Sequence, residues 1–230
     1  KKFIARKNAQ AVQGDVSINA ATLTADYIEG EGESMKINRV QADNDVRIRS
    51  RDSDAYGDKA IYEIDKGYAE LTGSDLRLVS PDQTVTARDK FEYWVVEGKL
   101  IAIGDARLTR KNEQGEINTL DADTITAYLK EDANGKRVLD RMVAVGNVVI
   151  TTPTETLTGS QGTYEAGSNT AEITGNVIIK RGPNILEGSK ATVDLNTSIS
   201  RMFGGGRTGR VKATFFPGSE KKDQPASSDP

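Results

Sequence analysis

Apolar and polar residues alternate with a period of two along much of the chain. In Val46-Arg47-Ile48-Arg49-Ser50-Arg51 the two aliphatic side chains share one face and three arginines share the other. Leu76-Arg77-Leu78 repeats the device, and Phe91-Glu92-Tyr93-Trp94-Val95 alternates with bulky groups on both faces. Period-two alternation is the pattern of a strand that buries one side and wets the other. No segment holds the helical period. Asn44-Asp45, Asp65-Lys66-Gly67, Thr72-Gly73, Asn134-Gly135, Gly146-Asn147 and Gly175-Asn176 supply turn and bulge chemistry between or within the runs. Many short strands at regular spacing predict an all-β sandwich, barrel, jellyroll or solenoid.

The alternation repeats itself on a larger scale. Residues 22–73 align without a gap on residues 124–175, and 15 of the 52 positions are identical. Val46 and Ile48 meet Val148 and Ile150; Gly57 and Tyr62 meet Gly159 and Tyr164; Ala69-Glu70-Leu71-Thr72-Gly73 meets Ala171-Glu172-Ile173-Thr174-Gly175. The duplication is expected to span 22–104 and 124–204 within one β domain, 1–218. A finer period lies inside it. Small residues at Asn44, Gly73, Gly104, Gly146, Gly175 and Gly204 are read as strand starts, so that each unit is about two strands. One strand pair cannot bury its apolar face alone, so neighbouring units must stack. Residues 219–230 carry no apolar anchor and are expected to form a disordered polar tail.

Composition narrows the chemistry. The chain has no Cys and no His. Disulfides, thiol catalysis, thiolate–zinc sites and the usual general base are therefore excluded. A net charge of −3 gives no concentrated basic face for nucleic acid. No run approaches the roughly 18 apolar residues of a membrane span. No signal peptide is visible in the opening Lys1-Lys2-Phe3-Ile4, so an export signal is expected to be processed off or outside this sequence. Carboxylates are plentiful, but Asp52/Asp54 and Asp121/Asp123 have nothing to set a spacing across a cleft, as a glycosidase pair requires. Ser189-Lys190 has no nucleophile context. Gly204-Gly205-Gly206 lacks the following Lys-Ser/Thr and helix of a phosphate loop.

Three blocks in order resemble a known repeat. They are Leu157-Thr158-Gly159 with Tyr164, then Ala171-Glu172-Ile173-Thr174-Gly175-Asn176-Val177-Ile178-Ile179, then Leu186-Glu187-Gly188 with Ala191, Val193, Asp194 and Leu195. The series is similar to the OstA-like repeat of the LptA family of periplasmic lipopolysaccharide (LPS) transport proteins, which LptC and the periplasmic part of LptD also carry. The ending Gly209 to Pro217 resembles the last strand of that family. The resemblance implies an elongated antiparallel β-jellyroll with a twisted open groove, built from internally repeated strand pairs. It implies a non-enzymatic periplasmic protein without a cofactor. Such a protein holds the acyl chains of lipid A in the groove and joins end to end, with LptC-like and LptD-like partners and with itself, meeting the membrane only through those partners. A periplasmic LptD domain and an LptC-like docking module remain open as alternatives. So does an unrelated parallel β-solenoid, either structural or polysaccharide-active.

On that reading the groove lining is Val46, Ile48, Tyr62, Phe91, Tyr93, Leu108, Ile125, Val148, Ile150, Tyr164, Ile173, Val177, Ile179, Val193 and Leu195. The competing reading is that these side chains fill a closed core. The assembly edges are expected at Val16 and Ile18 near one end and at Val211, Phe215 and Phe216 near the other, where unpaired backbone can recruit a strand. Arg47, Arg49 and Arg51 are either a phosphate-binding stripe or a solvated strand face. Trp94, opposite Phe91 and Tyr93, marks a partner surface or packs under a neighbouring loop.

Overall fold

The computed structural model describes residues 1–29, 35–111, 115–195, 197, 199–205 and 209–216. The expected tail at 219–230 lies outside the described residues. The strands are β1 (Lys2–Gln13), β2 (Val16–Glu29), β3 (Met35–Arg49), β4 (Asp54–Glu63), β5 (Tyr68–Thr72), β6 (Leu76–Val79), β7 (Gln83–Ala87) and β8 (Lys90–Trp94). They continue as β9 (Lys99–Lys111), β10 (Ile117–Glu131), β11 (Arg137–Thr151), β12 (Thr156–Glu165), β13 (Thr170–Arg181), β14 (Asn184–Asp194), β15 (Ile199–Phe203) and β16 (Lys212–Thr214). Among the described residues the helical element is one 3₁₀ turn at Ile64–Lys66.

All sixteen strands belong to one sheet whose lanes follow the order of the chain. Every ladder is antiparallel, which rules out the parallel solenoid. Most lanes are a single strand. Three are shared by two: β5 and β6 both pair β4, β7 and β8 both pair β9, and β15 and β16 both pair β14. Thirteen lanes at about 4.8 Å spacing make a sheet about 58 Å long across its strands.

The long strands are bent at one place. Asn44-Asp45 in β3, Gly104-Asp105 in β9, Gly146-Asn147 in β11 and Gly175-Asn176 in β13 all have positive φ, as do Lys7-Asn8 in β1. In each case two residues oppose one on the partner strand, so the ladder shifts register there: β3 and β4 pair at Asp43/Lys59 and resume at Val46/Gly57. These are bulges, which bend a strand and add twist. Asn, Asp and Gly tolerate the left-handed backbone that the bend requires. Four of the positions read from sequence as strand starts are thus corners inside strands. Gly73 lies between β5 and β6, and Gly204 just after β15. The 29-residue spacing still measures a strand pair, because it runs from one bent strand to the next bent strand.

The inner face explains why the sheet bends. Ala42, Ala144 and Ala191 are 0–2% exposed, although one face of a lone sheet is open to water. Among the described residues, what covers that face is the other limb of the same sheet. The two limbs therefore close on each other along the line of bulges, giving the jellyroll. The duplication matches strand for strand. Shifting β3 by 102 residues gives β11, and shifting β4 gives β12, with the corner Asn44-Asp45 falling on Gly146-Asn147.

Candidate functional site

Cross-strand register sorts the inner face into four rows. Along the crease run Val46, Gly57, Leu76, Ala106, Ala122, Val148, Gly159, Val177 and Gly188. On one limb the next row runs Ile18, Ile48, Ala55, Leu78, Val85, Leu108, Leu120, Ile150, Leu157, Ile179, Leu186, Ala213, each directly opposite the next. On the other limb the corresponding row runs Leu23, Ala42, Ala60, Leu71, Phe91, Ala102, Ile125, Ala144, Gly162, Ile173, Ala191, Met202. Two residues further out lie Val40, Tyr62, Ala69, Tyr93, Leu100, Ala127, Met142, Tyr164, Ala171 and Val193. All four rows are apolar from end to end.

Fourteen of the fifteen sequence-predicted lining residues fall on these rows. Val46, Val148 and Val177 are at the crease and are the largest fully buried side chains. Phe91, Ile125 and Ile173 are buried one row out, and Ile48, Leu108, Ile150 and Ile179 stand on the facing limb. Tyr62, Tyr93, Tyr164 and Val193 line the outer row, half-buried. Leu195 does not join them. It follows the end of β14, its backbone N–H bonds to the Asn169 carbonyl, and it is 49% exposed. The alternation continues on paper past Asp194, but the strand has ended. Sequence reading missed Leu71, Leu76, Leu78, Leu120, Leu157 and Leu186, and all the alanines and glycines of the rows. Register alone reveals these, because a lone Ala or Gly carries no apolar signal of its own.

The outer row turns polar at its tips. Arg137 Nη1 donates to the Tyr93 hydroxyl at 2.6 Å, and the Tyr164 hydroxyl donates to Asn169 Oδ1 at 3.0 Å. Aromatic side chains with one wet end suit such a boundary.

The opposite surface of the sheet is charged and internally paired. Arg47 and Arg49 both bond Asp54, at 2.8 and 3.2 Å, and Arg51 bonds Asp15 at 2.5 Å. The Arg47 bond holds the Asp54 carboxyl below its ordinary range. Two carboxylates thus offset three arginines along this strand face. The acidic pairs are likewise engaged: Asp52 with Lys136, Asp121 with Arg107, Asp123 with Asn147. Trp94 packs on Tyr68, ring centroids 4.7 Å apart, with Lys99 Nζ 5.2 Å from the Trp94 ring centre, so neighbouring strands cover it rather than a loop.

The sheet has two open edges. At the N-terminal end the edge is β1, which pairs only with β2. Val16 and Ile18 are therefore one lane inside, because β2 is flanked by β1 and β3, and Ile18 faces Ile48. Strand β1 escaped the sequence reading because three of its inward positions, Ala5, Ala9 and Ala11, are too small to register as apolar alternation, leaving Phe3 alone. At the C-terminal end the outermost strands are β15 and β16. Phe215 and Phe216 follow β16 and are 66% and 52% exposed; Val211 precedes it, 39% exposed.

A family model described as LptA/(LptD N-terminal domain) LPS transport protein matches residues 1–99 and again residues 97–199. No curated protein matches the chain. Among solved structures, LptH of Pseudomonas aeruginosa, described as the LptA-homologous periplasmic component of the conserved lipopolysaccharide transport device, is similar at 20% identity with a TM-score of 0.48. That likeness covers 59% of this chain and 95% of LptH. The two family matches together run from residue 1 to residue 199 of a chain built from two alike halves, and the chain accordingly belongs to the LptA/LptD N-terminal domain family of LPS transport proteins.

Proposed function

We propose that the chain is a periplasmic carrier that shields the acyl chains of lipid A between the two limbs of its folded sheet and performs no bond chemistry. The observation that supports this most is the continuity of the inner face: four apolar rows without a charged residue, the two longest running from β2 to β15 or β16. An acyl chain in water costs roughly 0.8 kcal/mol per exposed CH₂. Residues such as Ile48, Leu108 and Ile150, partly buried, and Ile179, buried, can exchange contact with one another for contact with such a chain. A lining without directional polar groups lets the ligand slide rather than lock.

Strand addition at β1 and at β15/β16 would extend the trough into LptC-like and LptD-like partners or another copy of the chain, since both edges carry unpaired backbone. The family description itself includes the N-terminal domain of LptD, so the same face could serve within LptD as the receiving end of the track.

Mass spectrometry of protein purified natively from LPS-bearing cells tests the reading. Lipid A should co-purify with the wild type and be absent from a folded Ile48→Glu/Ile150→Glu double variant. Equal lipid A in both would overturn it.

A further inference from the structure

Building on that carrier reading, we infer that the trough is two binding compartments in one chain, separated by a bulky waist at β5–β8, and that it holds one acylated lipid in each. On either side of the waist, lanes β2–β4 and β9–β12 each keep small residues at one or both of their two deep positions, beside Leu23, Val46, Ile125 and Val148. In the first half the small residues include Ala42, Gly57 and Ala60; in the second, Ala102, Ala106, Gly159 and Gly162. Between the halves the four deep positions are Leu71, Leu76, Phe91 and Ala87, the first three exposed by only 5%, 2% and 5%. Phe91 is the largest side chain in the buried core. The two lanes that carry these three residues are the interior lanes in which the strand is broken at the corner, β5 from β6 and β7 from β8.

The second half ends the same way. Leu71 lies 102 residues before Ile173, and β13 carries Ile173 and Val177 at both deep positions, whereas each of the lanes β9–β12 keeps Ala or Gly at one or both. Each half is thus a run of about four lanes, about 19 Å of trough, closed at its far side by a large aliphatic pair. When the limbs part, a floor with Ala or Gly in every lane leaves room for a hydrocarbon chain. A floor of Leu, Leu and Phe with one Ala leaves far less, because packed side chains of that volume yield little. The waist is also braced from outside. Lys90 Nζ bonds both Glu70, at 3.1 Å, and Glu92, at 2.6 Å, and the Tyr68 hydroxyl donates to Glu70 at 2.9 Å. These charge-assisted bonds tie β5 to β8 directly behind Leu71 and Phe91.

Native mass spectrometry of the full chain titrated with purified lipid A tests this. Two lipids per wild-type chain are expected at saturation. Ile48 and Ile150 are equivalent positions in the two halves, so Ile48→Glu and Ile150→Glu should each retain one. Wild type that saturates at one lipid, or either single variant that loses both while keeping its β circular dichroism, would overturn the two-compartment assignment and leave the carrier reading standing. Wild type that binds none would strike the carrier reading itself. The wild-type count decides the matter even where a variant fails to fold.

Discussion

Two glycines in β12 show how finely the inner face is fitted. A Cβ on Gly159 would sit 2.6 Å from Ile173 Cγ1 and 3.0 Å from the Thr174 carbonyl oxygen. A Cβ on Gly162, three residues on, would meet Val148 at 3.5 Å and Ala144 at 3.8 Å, which is ordinary contact. Position 162 corresponds to Ala60 in the first half, where the methyl is already present. Gly159→Ala should therefore destabilise by about 1–3 kcal/mol through overpacking, and Ile173→Val should relieve part of that cost in a double-mutant cycle. Gly162→Ala should be neutral or stabilise by up to about 1 kcal/mol, since it restricts the unfolded chain. Urea midpoints would measure all three, and an equal loss from both Gly→Ala changes would contradict the register. The sequence shows these glycines as repeat matches, Gly57 with Gly159. It cannot say which of them has a neighbour's side chain in place of its own.

At the scale of elements, strands in the middle of the sheet are paired on both sides, whereas β1 and β16 each lean on one neighbour. Strand β1 buries Ala9 alone, and β16 buries nothing. Amide hydrogen exchange should be fastest in β1 and β16 and slowest in β10 and β11. Protection of β1 equal to that of β11 in the isolated chain would show that the edge is already covered. Pairing between β5 and β8 also carries a pH dependence. Burial on its own would raise the Glu70 carboxyl, but the Lys90 and Tyr68 bonds outweigh it and hold the group below its ordinary 4.5. A carboxylate lowered on folding stabilises at pH values above its unfolded pKa. That gain is lost as pH falls through the folded value. Glu70→Gln should lower stability at pH 7 by about 1 kcal/mol, and the gap to wild type should narrow as pH falls below 4.5. An unchanged gap at low pH would mean that the charge is not what matters.

For the molecule as a whole, alternation and repetition were enough to read the strand pairs, the inward direction of most large aliphatics and the equivalence of the two halves. Ile48 was legible because an aliphatic between Arg47 and Arg49 has one face to choose, and Ile150 because the repeat sets it on Ile48. The alanine-lined β1 was not legible, and Val16 and Ile18 took its place as the expected edge. Nor was it legible that Asn44-Asp45 and Gly146-Asn147 bend strands rather than begin them. Turn and bulge use the same residue types, because both need the left-handed backbone.

The left-handed corner also governs how such a molecule can change size. Strands with the two-residue bend, β3, β9, β11 and β13, have as partners strands that supply one residue at the same level, β4, β10, β12 and β14. Adding or deleting one strand would set like beside like and turn every later apolar side chain toward the solvent. Growth is therefore quantised: a hairpin of about 29 residues, as from Gly146 to Gly175, lengthens the track by about 10 Å and leaves the inside greasy. Relatives of different reach should differ by whole hairpins, each arriving with its own Asn or Gly corner.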